Sequence, residues 1–327
     1  MTHAAYPLSH RFSVAPMMDW TDRHCRVFHR ALSRHALLYT EMVTTGALLH
    51  GDVARHLDFD AVEHPVALQL GGSEPNDLAA CAKLGEKRGY DEINLNCGCP
   101  SERVQKGAFG ACLMAEAPLV RDCVKAMVDA VGVPITVKHR LGINEIENYE
   151  FVRDFVGTVA QGGAQTFIAH ARNAILKGLS PKDNREIPPL KYDYVARLKQ
   201  DFPHLTIVLN GGVQSLDAAQ ALLPQVDGVM LGRIAYHEPW VLAGVDTALF
   251  DAPDAKLTRD TVVETMAVYA EQAIARGTPL RVITRHMLGL YNGLPGARLW
   301  RRRLSDAKEL MHNDPALLLH ARPVLSR

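Results

Sequence analysis

The chain has 327 residues, of which 47% are apolar and 22% charged, so it is long enough for one large folded domain and a smaller one. Its formal net charge is zero and no apolar run reaches the length of a membrane-spanning helix, which argues against a membrane protein and against an overall basic nucleic-acid binder. The six cysteines include no Cys-x-x-Cys pair and the polar first fifteen residues do not resemble a signal peptide, so we expect free thiols and a cytoplasmic location.

Eight short apolar runs are predicted to be buried strands. They cover residues 12–16, 37–42, 65–70, 92–97, 134–138, 166–171, 205–210 and 228–232. Amphipathic segments lie between most of them, and buried strands that alternate with helices are typical of a parallel sheet covered on both faces. Eight such units favour a closed TIM (β/α)8 barrel. The alternative is an open doubly wound sheet, but its glycine-rich dinucleotide turn is absent, since no two glycines stand two positions apart.

The alternation of strands and helices stops after roughly residue 250. Helical periodicity without intervening strands follows, so we predict a catalytic barrel over residues 1–250 and an all-helical domain over residues 251–327. Residues 276–327 contain ten basic and three acidic residues, a net charge of +7, which leaves −7 for the rest. This asymmetry is typical of a chain that binds an anionic partner at its basic segment. The charge alone is explained equally well by a helix face exposed to solvent.

Polar residues and glycines follow most of the predicted strands, at the ends that face the active site of a barrel. They include Gln69, Lys138, His170, the run Asn210-Gly211-Gly212 and the pair Gly232-Arg233. Glycines and backbone N–H groups after the last two strands are typical of a phosphate site in a barrel. The pattern therefore predicts a phosphorylated ligand, with FMN and a sugar phosphate both left open.

Lys138 and Gln69 narrow the chemistry of this predicted site. A lysine in the mouth can place a cation beside a reduced flavin ring, or it can form a Schiff base as in an aldolase. The amide of Gln69 is suited to the uracil-like edge of a flavin.

Cys99 follows a strand and precedes Pro100, and a cysteine thiol is mostly protonated at neutral pH, so Cys99 can donate a proton. No set of cysteines and histidines has metal-ligand spacing, so no metal is predicted.

Longer motifs resemble those of the tRNA-dihydrouridine synthases. They occupy residues 14–22, 94–101, 107–111, 170–172, 180–186, 210–212 and 232–233, and together they extend over almost the whole chain. The segment around Arg185 and the basic tail resemble the A-type subfamily. Cys97 and His139 stand where the family often has valine and a small residue, and His139 is a candidate for altering the pocket near Lys138.

The resemblance implies non-covalent FMN, NADPH as the reductant, and reduction of uridines 20 and 20a in the tRNA D-loop. Cys99 would be the catalytic proton donor. The residues that would hold FMN are Pro16, Met17, Met18, Gln69, Lys138, His170, Asn210, Gly211, Gly212, Gly232 and Arg233. The residues that would contact tRNA are Asn96, Lys182, Arg185, Arg298 and Arg301. We expect a monomer with no metal and no membrane partner.

Two other functions remain open from the sequence. One is an FMN-dependent reductase or dehydrogenase of a small pyrimidine, similar to dihydroorotate dehydrogenase, which would have no use for a basic tail. The other is a non-catalytic RNA-binding protein, which would not need Lys138, Cys99 and the paired glycines to converge.

Overall fold

A computed structural model describes residues 8–324, apart from the side chains of Arg103 and Lys106. The strands within this part of the chain are β1 Phe12–Val14, β2 Leu37–Tyr39, β3 Val43–Thr44, β4 Val66–Gly71, β5 Glu92–Cys97, β6 Ile135–His139, β7 Thr166–His170, β8 Thr206–Asn210 and β9 Gly228–Leu231. All pairings between them are parallel. The strand β1 pairs with β2 and β9, and β2 pairs with β4, so eight strands form a closed ring to which β3 is attached at the end of β4. The predicted TIM barrel is confirmed.

Helices surround the barrel and continue beyond it. Those between the strands or directly after β9 are α1 Arg23–Leu32, α2 Thr45–His50, α3 Val53–His56, α4 Pro75–Arg88, α5 Glu102–Lys106, α6 Ala117–Val128, α7 Tyr149–Ala160, α8 Tyr192–Asp201, α9 Leu216–Leu222, α10 Arg233–His237 and α11 Val245–Phe250. The C-terminal helices are α12 Arg259–Ala275, α13 Leu280–Thr284, α14 Ala297–Ser305, α15 Ala307–Met311 and α16 Ala316–His320. Short 3₁₀ turns cover Ala61–Glu63, Gly110–Ala115, Asp183–Arg185, Leu223–Gln225 and Pro239–Gly244. No helix in the described part of the chain is long and apolar enough to span a membrane.

The barrel interior contains a column of hydrogen-bonded polar side chains. Asn96 donates to Gln69 (2.8 Å), Gln69 donates to Asn94 (2.8 Å), and Asn94 donates to Thr136 (2.8 Å). Thr136 in turn donates to the fully buried carboxylate of Glu92 (2.5 Å). A polar group in an apolar interior is costly unless it is paired, so this continuous pairing lets amides occupy a barrel core.

Glu92 is the acceptor at the lower end of this column, and Glu92→Ala is expected to lower the free energy of unfolding by about 3 kcal/mol. The hydroxyls of Tyr39 (2.7 Å) and Thr136 donate to its carboxylate, and Nε2 of His10 lies 2.6 Å from it. Urea unfolding measures the loss. Glu92→Gln keeps an acceptor oxygen, so its free energy of unfolding should fall less than that of Glu92→Ala. Equal losses in the two variants would show that the hydrogen bonds to this oxygen do not stabilise the fold.

The C-terminal helices pack on the barrel beside α1. Arg285 donates from Nη2 to the backbone carbonyl of Asp19 (2.5 Å), and Nε2 of His286 lies 3.0 Å from the carboxylate of Asp22. Asp22 also caps the N-terminus of α1. The tail is therefore joined to the loop that follows β1. The division of the chain between residues 250 and 251 stays a prediction.

Candidate active site

A cavity of about 1410 Å³ opens at the carboxyl ends of the barrel strands. Every residue predicted to hold a cofactor lines it, namely Pro16, Met17, Met18, Gln69, Lys138, His170, Asn210, Gly211, Gly212, Gly232 and Arg233. Asn96, Cys99 and Arg185 line the same cavity. Lys182, Arg298 and Arg301 do not, and their side chains are exposed outside it. The structure thus separates the predicted residues into a cavity group and an outer basic group.

Lys138 lies inside the mouth because successive side chains of β6 alternate between the barrel interior and the helix layer. Burial lowers the pKa of Lys138 to about 7, and the positive charge of Arg140 acts in the same direction. His139 faces the opposite way, with its ring 5.5 Å from that of Phe155 and 6.0 Å from that of Phe167. His139 therefore lies on the outer face of the barrel strand, and the expectation that it alters the pocket near Lys138 is not supported.

The glycines of the predicted phosphate site differ in what they make possible. Gly211 and Gly212 both have positive φ angles, of 107° and 74°. A Cβ atom would approach Nε2 of His170 to 2.9 Å at Gly211 and Cδ1 of Leu190 to 2.5 Å at Gly212, so close packing requires glycine at both positions. A Cβ atom at Gly232 would meet nothing within 4 Å. Open space beside the Gly232 backbone leaves room for a ligand.

His170 and Arg233 add polar groups to this side of the cavity. The His170 ring is buried, and its Nδ1 atom has no hydrogen-bond partner within the described residues. Burial, followed by the charges of Arg140 and Lys138, holds the pKa of His170 well below its usual range, so the ring is neutral. Arg233 forms an ion pair of 2.5 Å with Glu186. A ligand in this cavity would meet an unpaired imidazole nitrogen and a guanidinium.

Cys99 is half-exposed and lies in a turn that is held on several sides. The side-chain oxygen of Asn96 accepts from the backbone N–H groups of Gly98 and Cys99, both at 3.0 Å. The carbonyl of Cys99 accepts from the N–H of Ala111 (2.9 Å), and its thiol lies 3.5 Å from the hydroxyl of Ser101. The thiol is therefore presented to the cavity by a fixed backbone.

Glu41 and Arg140 are among the cavity residues that the predicted set of site residues did not include. Glu41 follows the second strand and accepts from the backbone N–H of Asp19 (2.5 Å), which holds the loop that carries Met17 and Met18. Arg140 follows β6 and is buried. Both are polar residues at strand ends, the signal that identified the others.

Within residues 8–324 no group of three His, Cys, Asp or Glu side chains could hold a metal ion.

A barrel whose cationic cavity opens at the carboxyl ends of its strands has the architecture of a TIM-barrel enzyme. The chain belongs to the dihydrouridine synthase family: residues 13–322 match the family described as "Dihydrouridine synthase (Dus)".

Relatives support this assignment. The chain is 58% identical over 321 residues to a tRNA-dihydrouridine(20/20a) synthase of Escherichia coli O6:H1. The matched region makes up 98% of this chain and 96% of that relative. It is 59% identical over 304 residues to the protein of the same name from Pseudomonas aeruginosa, with 93% and 92% covered. A solved structure of a 2-naphthoyl-CoA reductase complex is similar to this chain with a TM-score of 0.56 and 12% sequence identity. The match covers 72% of this chain and 50% of the reductase chain. That match supports the barrel fold alone.

Proposed function

We propose that this protein is a tRNA-dihydrouridine synthase that reduces the C5–C6 double bond of uridines 20 and 20a in the tRNA D-loop. It uses bound FMN and takes its reducing equivalents from NADPH, and it acts as a cytoplasmic monomer. The observation that carries the proposal is the convergence of Cys99 and the predicted cofactor residues on one cavity. Its support from sequence is the 58–59% identity to relatives named for this activity.

The cavity residues fit FMN. Nδ1 of His170 is buried without a partner, as expected of an atom that bonds to a ligand. The backbone at Gly232 borders open space, and the neighbouring Arg233 can pair with a phosphate. The oxygen of Gln69 accepts from Asn96 and one of its N–H groups donates to Asn94, which leaves a second N–H for the cofactor edge. FMN bound here would supply hydride for C6 of the uracil.

Cys99 would donate the proton that saturates C5. Its thiol is half-exposed at the cavity, and its backbone is fixed by Asn96 and Ala111. A uracil stacked within folded tRNA cannot reach a barrel mouth, so the nucleotide must be flipped out into the cavity. The exposed cations Lys182, Arg298 and Arg301 lie outside the cavity lining, where they are available to the phosphate backbone.

Lys138 gives the proposal a pH dependence. Its pKa of about 7 is below the usual lysine range, so the cation predominates below pH 7 and is lost as pH rises through that value. An electron-rich reduced flavin ring favours the cation and raises that pKa, so flavin reduction by NADPH should be fastest near pH 6. The rate should fall by up to about tenfold per pH unit above the raised pKa of Lys138, which is higher than 7.

Stopped-flow absorbance between pH 6 and pH 9 measures this dependence. Lys138→Met removes the cation without a large change in volume, so the variant should reduce flavin slowly at every pH in this range and retain FMN less well. A wild-type profile as flat as that of the variant would contradict the role. A trapped imine with a carbonyl substrate would instead indicate an aldolase.

One assay tests the proposed function against both alternatives. The purified protein should be yellow, release FMN on denaturation, and oxidise NADPH faster when unmodified tRNA is present. Nucleoside analysis of the product should show dihydrouridine at positions 20 and 20a. Turnover with a free pyrimidine but not with tRNA would favour the small-molecule enzyme, and absence of flavin would favour the RNA-binding protein.

A further inference from the structure

Arg140 lines the cavity but has no place in the reaction described so far. The residue is 5% exposed, and no carboxylate pairs with it within residues 8–324. A buried guanidinium without a carboxylate is costly unless other groups satisfy it. Here the partners are three backbone carbonyl oxygens.

One of these carbonyls belongs to the turn that carries the proposed proton donor. Nε of Arg140 donates to the carbonyl of Gly98 (3.2 Å), the residue immediately before Cys99. Asn96 already holds the N–H groups of Gly98 and Cys99 from the other side. Together the two side chains fix the peptide that positions the Cys99 thiol.

The other two carbonyls belong to the loop after β7. Nη1 of Arg140 donates to the carbonyls of Asn184 (2.9 Å) and Asn173 (3.3 Å). Asn184 closes this loop through its own side chain, which accepts from the N–H of Ile175 (2.7 Å) and donates to its carbonyl. The next residue, Arg185, lines the cavity. One planar guanidinium therefore joins the cysteine turn to the loop that carries a proposed tRNA contact.

Three cations lie near Cys99, two of them at the end of β6 and one in the loop after β7. They are Lys138 on β6, Arg140 directly after it, and Arg185 on the turn Asp183–Arg185. Burial lowers the pKa of each of them, and proximity to Cys99 acts in the opposite direction. Burial lowers the pKa of Arg140 to about 9, which still leaves it charged at neutral pH.

Two further charged residues lie beside these three cations. Arg172 adds a further cation near Arg140. Glu186, the carboxylate next to Arg185, is paired with Arg233. Positive charge therefore predominates among these groups.

We propose that Arg140 is a positioning residue for the proton transfer, which holds the Cys99 turn in place and stabilises the thiolate that the transfer leaves behind. The inference rests on the proposed function. The S–H bond of Cys99 breaks and its electron pair stays on sulfur, while the π electrons of the C5–C6 bond form the new C5–H bond. C6 receives hydride in the same reduction. The fixed charge of Arg140 lies where negative charge develops.

The reactivity of Cys99 toward iodoacetamide, measured by peptide mass spectrometry over a pH series, tests this proposal without tRNA or NADPH. Only the thiolate reacts, so the midpoint of the profile reports the ionisation of this thiol. Arg140→Met should move the midpoint upward by on the order of one pH unit. Arg140→Lys keeps the charge but cannot bond all three carbonyls, so its midpoint should stay near wild type while tRNA-dependent flavin reoxidation slows.

Arg153→Met is the control, because Arg153 is a half-exposed arginine on α7 that lies outside the cavity lining and pairs with Asp154. Its midpoint and reoxidation rate should equal those of wild type. FMN content and thermal unfolding show which variants fold. Should Arg140→Met not fold, Arg140→Gln removes the same charge and keeps two N–H donors.

An unchanged midpoint in a folded neutral variant overturns the proposal, as does a full shift in Arg140→Lys. Failure of the proposed function has a different signature. In that case the wild-type protein makes no dihydrouridine, whatever the alkylation profiles show.

Discussion

Cys99→Ala is expected to reduce dihydrouridine formation at least about 100-fold while FMN remains bound and reducible by NADPH. The thiol is held by backbone contacts of Asn96 and Ala111, and its removal leaves the residues proposed to hold the cofactor unchanged. Without a proton donor at C5, hydride addition at C6 would build up negative charge on the uracil. Rapid-mixing absorbance separates the two half-reactions, because flavin bleaching reports reduction and its reversal reports transfer to tRNA.

Cys112→Ala is the matched control for this experiment. Cys112 is also half-exposed, but it lies outside the cavity lining and its thiol contacts the carbonyl of Phe109 at 3.1 Å. We expect both half-reactions to survive in this variant. If reduced Cys99→Ala protein were reoxidised by tRNA at the wild-type rate, Cys99 would have no part in the proton transfer.

Reversal of Lys182, Arg298 and Arg301 to Glu is expected to weaken tRNA binding by about 100-fold at physiological salt. The three side chains are exposed, and within residues 8–324 none of them forms an ion pair. The slope of log Kd against log salt should become shallower by about 2 to 3 units, because three phosphate contacts are lost. Filter binding across a salt series measures both quantities, and flavin reduction by NADPH should stay near normal.

The triple variant leaves Arg185 in place because Arg185 lines the cavity near Cys99, where its loss would disturb the chemistry as well as binding. A control triple of Arg121, Lys125 and Arg153 to Glu changes the net charge equally on the outer helices α6 and α7. It should bind tRNA as wild type does. Intact affinity and salt slope in the first triple would exclude its residues from the tRNA recognition surface.

The barrel was predictable from sequence because its signal is repeated and physically strict. Strands such as β4 and β9 are buried on both faces, so they appear as short, mainly apolar runs, and Gly89 ends α4 with a positive φ of 104°. The cavity residues were predictable for a related reason. Polar side chains at the carboxyl ends of parallel strands have to meet at one mouth.

What the sequence could not predict depends on the direction and partners of individual side chains. His139 and Lys138 are adjacent, yet they lie on opposite faces of β6, and a sequence motif does not state which face is the interior. The role of Arg140 depends on carbonyls 33 to 44 residues away, and backbone acceptors carry no residue signature. Lys182 and Arg185 are three residues apart, but only the structure shows that they are connected by the 3₁₀ turn Asp183–Arg185. In this turn the N–H of Arg185 donates to the carbonyl of Lys182 (2.9 Å).

The contacts of Arg285 with Asp19 and of His286 with Asp22 have a consequence for recombining this enzyme with its relatives. Residues 251–258 contain no helix or strand and look like a natural crossover point for a chimera. A foreign tail attached there would arrive without its partners on the loop after β1, and that loop also carries Met17 and Met18 of the cavity. We therefore expect exchange of the tail alone to weaken retention of the proposed FMN. A chimera that exchanges the tail together with residues 19–24 should retain FMN.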